Sequence, residues 1–228
     1  MTRVKICGIQ ESSDALVAAQ AGADFVGVVF VPTARRRLDE DRALRIVSTL
    51  REKVGTPPRV VGLFADQPIG EVNRIVRHCG LDMAQLCGSE SLEYCGEVGV
   101  PVIKVLHVSD SPAVEEAVAL LSQAALALRE RGHLVTLDRK VGGLQGGTGQ
   151  AFNWNIAREL SMKGLPFLLA GGLTPENVGL AIRAVRPWGV DVSSGVETGG
   201  VKDKKKIRAF IRAVQNTAAL IEKAKSRQ

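Results

Sequence analysis

The feature that most constrains this 228-residue chain is an alternation: apolar runs of strand length recur along it, each followed by a segment of helical period. The runs fall at residues 3–7, 25–30, 60–64, 83–86, 102–105, 134–137, 167–170 and 190–192. Run 25–30, Phe-Val-Gly-Val-Val-Phe, is apolar on both faces, as a parallel strand covered by helices on each side must be. Helices are expected at 12–21, with Leu16, Ala19 and Gln20 spaced i, i+3, i+4, and at 41–50, 69–77 and 92–97. Ser111-Pro112 reads as an N-cap with proline at the first helical position, opening a helix to about residue 129. A further helix begins near Asn153, Thr174-Pro175-Glu176 repeats the cap-plus-proline signal, and 204–223 carries the stripe Ile207, Phe210, Ile211, Val214 and Ile221. Strand–helix alternation implies a parallel sheet with right-handed crossovers, and eight units are the number that closes into a (β/α)8 TIM barrel. With no internal linker, residues 1–228 are expected to form one such α/β domain. The alternative is a doubly wound open sheet; no G-x-G-x-x-G follows the first strand, so a dinucleotide site has no support.

With 45% hydrophobic and 24% charged residues, the chain can bury a sizeable core. No apolar run approaches the roughly 18 residues of a membrane span. The start, Met-Thr-Arg-Val-Lys-Ile-Cys, lacks a signal-peptide layout, so a cytoplasmic protein without membrane contact is expected. Cys7, Cys79, Cys87 and Cys95 contain no C-x-x-C pair, and a reducing compartment leaves them as thiols. Without a clear histidine partner they do not make a metal site. A net charge of +6 suits an anionic small molecule; with aromatics at 4%, a base-stacking surface for nucleic acid is not expected.

A barrel collects reactive groups at the carboxyl ends of its strands. Cys7 ends the first strand. Asp138 ends the sixth, beneath a loop holding Gly142, Gly143, Gly146, Gly147 and Gly149. The two are expected to face each other across one mouth, although alone Asp138 could cap a turn and Cys7 could be a small buried hydrophobe. Strand seven leads into Gly171-Gly172, and strand eight into Ser193-Ser194-Gly195. In barrels the loops at these two positions commonly cradle a phosphate, because small residues let backbone N–H groups reach its oxygens; tight turns without a ligand are the other reading.

Taken together, Lys5-Ile-Cys7-Gly8, Gln85-Leu86-x-Gly88, Leu137-Asp138 with Gly146-Gly147-Thr148-Gly149 and Phe152-x-Trp154, Leu169-Ala170-Gly171-Gly172-Leu173, and Val190-Asp191-Val192-Ser193-Ser194-Gly195-Val196-Glu197 resemble phosphoribosylanthranilate isomerase of tryptophan biosynthesis. The motifs come in the same order along essentially the whole chain, which is far more specific than any one of them. The resemblance implies an Amadori rearrangement of N-(5-phosphoribosyl)anthranilate to 1-(2-carboxyphenylamino)-1-deoxyribulose 5-phosphate, with no cofactor and no metal, in a monomer or homodimer. It implies Asp138 as general acid at the ring oxygen and Cys7 as general base at C2′. A thiol near pKa 8.5 would need its thiolate favoured, by charge near Lys5 or by helix dipoles. It also implies an arginine holding the anthranilate carboxylate; an ungapped count selects Arg36 from Arg35-Arg36-Arg37, with a solvated basic loop as the plain reading. Asp191 would steady the nitrogen or a hydroxyl of the intermediate, or simply fill a barrel layer. Ala34 and Cys87 depart from the family's usual serine and histidine. Two rivals remain: the sister isomerase of histidine biosynthesis, which needs a second phosphate loop where this chain has Gly62-Leu63-Phe64-Ala65-Asp66, and a non-catalytic phosphosugar-binding barrel.

Overall fold

A computed structural model describes residues 1–108, 114–139 and 154–225. Its elements are β1 (Arg3–Ile6), α1 (Ser12–Ala21), β2 (Phe25–Val29), α2 (Glu40–Lys53), β3 (Arg59–Phe64), α3 (Ile69–Cys79), β4 (Met83–Leu86), α4 (Leu92–Glu97) and β5 (Val102–Val108), then α5 (Val114–Glu130), β6 (Leu134–Arg139), α6 (Trp154–Met162), β7 (Leu168–Leu169), α7 (Val178–Val185), β8 (Gly189–Val192), β9 (Glu197–Thr198), β10 (Val201–Lys202) and α8 (Lys204–Lys225). Strands β1 to β8 pair in sequence order and in parallel, and β8 returns to β1, so the sheet closes into a barrel. This is the (β/α)8 architecture expected from the alternation.

Two apolar layers hold it. The larger lies between helices and barrel, where outward-facing Val26, Val28 and Val60 meet Ile46, Leu50, Ile75, Val178, Ile182, Ile207 and Phe210. The smaller fills the barrel itself with Phe25, Val29, Val61, Leu63, Met83, Ile103 and Leu168, and Cys7 belongs to it. Facing inward therefore means facing a packed, largely apolar interior whose upper end opens as a mouth. Helix ends are set locally as well: Asp39 accepts a hydrogen bond from the Arg42 N–H at 2.7 Å, with Glu40 and Asp41 in the first turn of α2 and Arg51 and Lys53 in its last, complementing the dipole at both ends.

Several expectations need correction. On α1 the buried face is Asp14, Ala15, Val17 and Ala18, while Gln20 is exposed and Leu16 and Ala19 are half-buried; alanine-rich helices give a weak apolar contrast, and tertiary packing chose the face. α7 starts at Val178, because Thr174 to Asn177 form a turn of their own, in which the Thr174 N–H donates to Asn177 Oδ1 at 2.8 Å and Asn177 Nδ2 donates to the Gly172 carbonyl at 2.8 Å. β5 is longer than its apolar run, continuing through His107 to Val108 in register with β6. The hairpin β9–β10 was not anticipated, its strands being two residues each. On α8 Ile207, Phe210, Ile211 and Val214 are buried as expected, and Ile221 is half-buried. The Ser111-Pro112 cap, the glycines from Gly142 to Gly149, Phe152 and Asn153 lie outside the described residues. Among the described residues no helix is long and apolar enough to cross a membrane.

Candidate active site

At the carboxyl ends of the strands, Cys7, Arg36, Asp138, Asp191 and Ser193 line one cavity of about 160 Å³. Cys7 and Asp138 thus come together from β1 and β6, as the barrel geometry predicted. Apolar Val29, Leu63 and Val105 complete the wall, giving the low-dielectric surroundings in which charge–charge interactions are strong.

Cys7 directly follows β1, and its N–H continues the ladder to the Val192 carbonyl at 2.8 Å. Two residues earlier on the same inward face sits Lys5, fully buried, whose Nζ donates to Asp191 Oδ2 at 2.7 Å. Lys5 and Asp191 are also register partners across the β1–β8 seam. Burial alone would push the Lys5 ammonium down; Asp191 and Cys7 outweigh that and hold it above its ordinary value. For Cys7 burial prevails and pushes the thiol up, with Lys5 and Lys202 pulling against it and Asp191 adding to it. Cys87, also on the cavity wall, is pushed up to about 12 by burial. Cys79 and Cys95 sit in the outer core, away from the cavity.

Arg36 is held rigidly. Its Nε donates to Glu197 Oε1 at 2.6 Å and its Nη2 to Oε2 at 3.0 Å. Glu197 also receives Arg35 Nη2 at 2.7 Å and Lys202 Nζ at 2.8 Å. Burial would raise this carboxyl, yet hydrogen bonds from Arg36, Lys202 and Arg35 bring it down to about 2. Beneath Arg36 lies Gly8 at φ +73°, where a Cβ would collide with Arg36 Cδ; glycine is needed there both for its backbone angle and for the arginine to lie flat. Of the three consecutive arginines, Arg36 reaches the cavity wall, while Arg35 and Arg37 are exposed.

Of the loop residues expected to hold phosphate, Ser193 lines the cavity; its Oγ donates to the Cys7 carbonyl at 3.2 Å, and Lys202 Nζ donates to the Ser193 carbonyl at 2.7 Å. Gly171 and Gly172, at φ +87° and +67°, follow the wall residue Ala170. Ser194 and Gly195 form a short 3-10 turn with Val196. At Gly195 any Cβ would strike the Leu173 carbonyl, so the loops after β7 and β8 are packed backbone to backbone.

Three residues escaped sequence reasoning. His107 lines the cavity beside Asp138, its register partner on β6, with Nε2 3.4 Å from the Cys87 carbonyl oxygen; the signal was the period-2 series Ile103, Val105, His107. Glu197 stood in a recognised motif without a role, and Lys202 sat in an unrecognised hairpin.

A closed (β/α)8 barrel whose ionisable side chains converge on one small cavity at the carboxyl ends of its strands is a small-molecule enzyme of the TIM-barrel class. Residues 4–213 match the family model described as N-(5′-phosphoribosyl)anthranilate (PRA) isomerase, and the chain belongs to that family. A relative from Dehalococcoides mccartyi, named N-(5′-phosphoribosyl)anthranilate isomerase, is 44% identical over 216 residues, covering 95% of this chain and 97% of its own. The solved structure of monomers generated from the dimeric isomerase of Thermotoga maritima superposes with a TM-score of 0.76 at 34% identity, covering 95% of this chain and 100% of that one. A solved isomerase in complex with reduced 1-(o-carboxyphenylamino)-1-deoxyribulose 5-phosphate gives a TM-score of 0.76 at 32% identity, with the same coverage.

Proposed function

We propose that this chain isomerises N-(5′-phosphoribosyl)anthranilate in tryptophan biosynthesis, with Asp138 as general acid and Cys7 as general base. The observation that carries the assignment of roles is that these two side chains, from β1 and β6, line the same apolar-walled cavity.

Asp138 donates its proton to the furanose ring oxygen as the C1′–O bond breaks, and the nitrogen lone pair forms the C1′=N iminium. Cys7, as thiolate, takes the C2′ proton, and the electron pair moves through C1′–C2′ to neutralise the nitrogen, leaving an enolamine. Loss of the enol proton and protonation at C1′ give the ketone. Asp191 uses Oδ2 for Lys5, while Oδ1 has no partner among the described residues; that oxygen accepts the substrate N–H and supports the positive charge of the iminium. Arg36 spends its Nε–Nη2 edge on Glu197, which leaves Nη1 for the anthranilate carboxylate. The phosphate rests on backbone N–H groups of Gly171, Gly172, Ser193, Ser194 and Gly195. The chemistry involves no net redox change and calls for no cofactor or metal. The whole chain acts as one barrel domain in the cytoplasm, as a monomer or as a homodimer, the latter in line with the dimeric relative.

The test follows the fluorescence of phosphoribosylanthranilate made in situ, against its spontaneous decay. Rapid loss with the wild type, and turnover lowered by roughly two to four orders of magnitude in Cys7→Ala and in Asp138→Asn with product affinity little changed, is the expected result. Wild-type rates in either variant would remove that residue from the mechanism.

A further inference from the structure

The site holds more charge than the proton transfers require. Lys5 has no exposure to solvent at all, an uncommon state for a lysine; its ammonium meets Asp191 across the barrel seam at 2.7 Å, and Cys7, two residues along and on the same inward face, feels its charge. A buried cation is tolerated when paired, and Asp191 alone satisfies that need. Its position directly beneath the cysteine is not explained by fastening the barrel.

We propose that Lys5 is a positioning residue for the chemistry of Cys7: its ammonium stabilises the thiolate that takes the C2′ proton, and Asp191 acts in opposition, weakening that support while holding the ammonium in place. The inference rests on the reading of Cys7 as base. Cys7 loses its proton to solvent, and Lys5 remains an ammonium before and after. Lys5 acts from the cysteine's own strand and Asp191 from β8; Lys202 acts from β10. Cys87 just after β4, His107 on β5, Asp138 on β6 and Arg36 in the loop after β2 are the remaining ionisable groups on the cavity wall among the described residues. Helix dipoles are not needed, since a full charge already sits two residues away on the same inward face, in an apolar enclosure.

The two partners of the thiol have opposite signs, and so do the expected effects of removing them. The ionisation of Cys7 is read in ligand-free protein from the ultraviolet absorbance of the thiolate, as the difference between each protein and its Cys7→Ala counterpart. Asp191→Asn leaves the ammonium unopposed and lowers the midpoint. Lys5→Met raises it by about 1 to 3 pH units, the usual influence of an adjacent opposite charge. Should the lone Asp191 carboxylate prevent folding of that variant, Lys5→Met/Asp191→Asn removes both charges and still gives a midpoint above wild type, because Lys5 weighs more on the thiol than Asp191 does. A purely fastening role predicts lower melting temperatures with an unmoved midpoint, and that outcome, or a midpoint that rises in Asp191→Asn, would overturn the proposal. The titration needs no substrate. Failure of Cys7 as base would show instead as retained activity in Cys7→Ala, and the two failures are separable.

Discussion

Glu197 is the test case for how the site's charges are held, because one carboxylate with a side chain 6% exposed gathers Arg35, Arg36 and Lys202. In Glu197→Gln the shape is nearly kept and the charge is lost. The folded carboxyl sits at about 2, against roughly 4.3 in an unfolded chain, and each unit is about 1.4 kcal/mol, so the ionised form contributes on the order of 3 kcal/mol at neutral pH. Because the folded value is depressed, that contribution is fully present above the unfolded value and fades as pH falls from about 4.3 toward about 2. Urea unfolding at pH 7 is therefore expected to show Glu197→Gln less stable by about 2–3 kcal/mol, the lower figure allowing for the exposed Arg35. The gap should shrink by roughly 2 kcal/mol by pH 3, where wild type has lost most of the same support. In kinetics the unanchored Arg36 should raise KM by about tenfold, equivalent to ~1.4 kcal/mol of binding, with a smaller change in kcat. A stability gap independent of pH, or one under about 0.5 kcal/mol, would show that the carboxylate's charge does not hold the cluster.

Other outcomes follow from the same geometry. With Cys7 held above the ordinary thiol value by burial and required as thiolate, the residual kcat/KM of Asp138→Asn, in which no carboxyl has to stay protonated, should climb about tenfold per pH unit through the neutral range and level off only on the alkaline side; a plateau already at pH 7 in that variant would contradict it. Arg36→Lys cannot keep both hydrogen bonds to the buried Glu197 carboxylate, and is expected to raise KM at least about tenfold in steady-state assays and to lower the melting temperature by roughly 2–4 °C, as for a loss of about 1 kcal/mol. Gly195→Ala forces a Cβ onto the Leu173 carbonyl and should cost about 1–3 kcal/mol, seen as a melting temperature lower by roughly 3–10 °C.

Much of this barrel was legible because its signals are local. Phe25 to Phe30 announced a strand covered on both sides, Cys7 and Asp138 stood where strands end, and the glycines and serines after β7 and β8 could be counted from those strands. Polar residues that earn their place through distant partners were harder. Lys5 meets Asp191 across 186 positions of sequence and Arg36 meets Glu197 across 161, separations over which composition and period say nothing. Sequence alone suggests charge near Lys5 beside Cys7, but it is closure of the barrel that turns the lysine inward and gives it Asp191 as partner. His107 is hidden for the converse reason: it lies beyond the apolar run 102–105, and only pairing with β6 carries the strand on to it. On α1, alanine provides too little contrast to choose a face, and only packing against α2 and α8 decides it.

The seam where β8 meets β1 carries a consequence for synthesis of the chain. The residue that neutralises Lys5 is translated only with the eighth barrel strand, so a barrel made of the first six or seven strands must either leave this lysine wet or bury an uncompensated cation. Partial barrels emerging from a ribosome are thus penalised for closing on themselves, and the Cys7 sulfur two residues away is enclosed only once β8 has arrived.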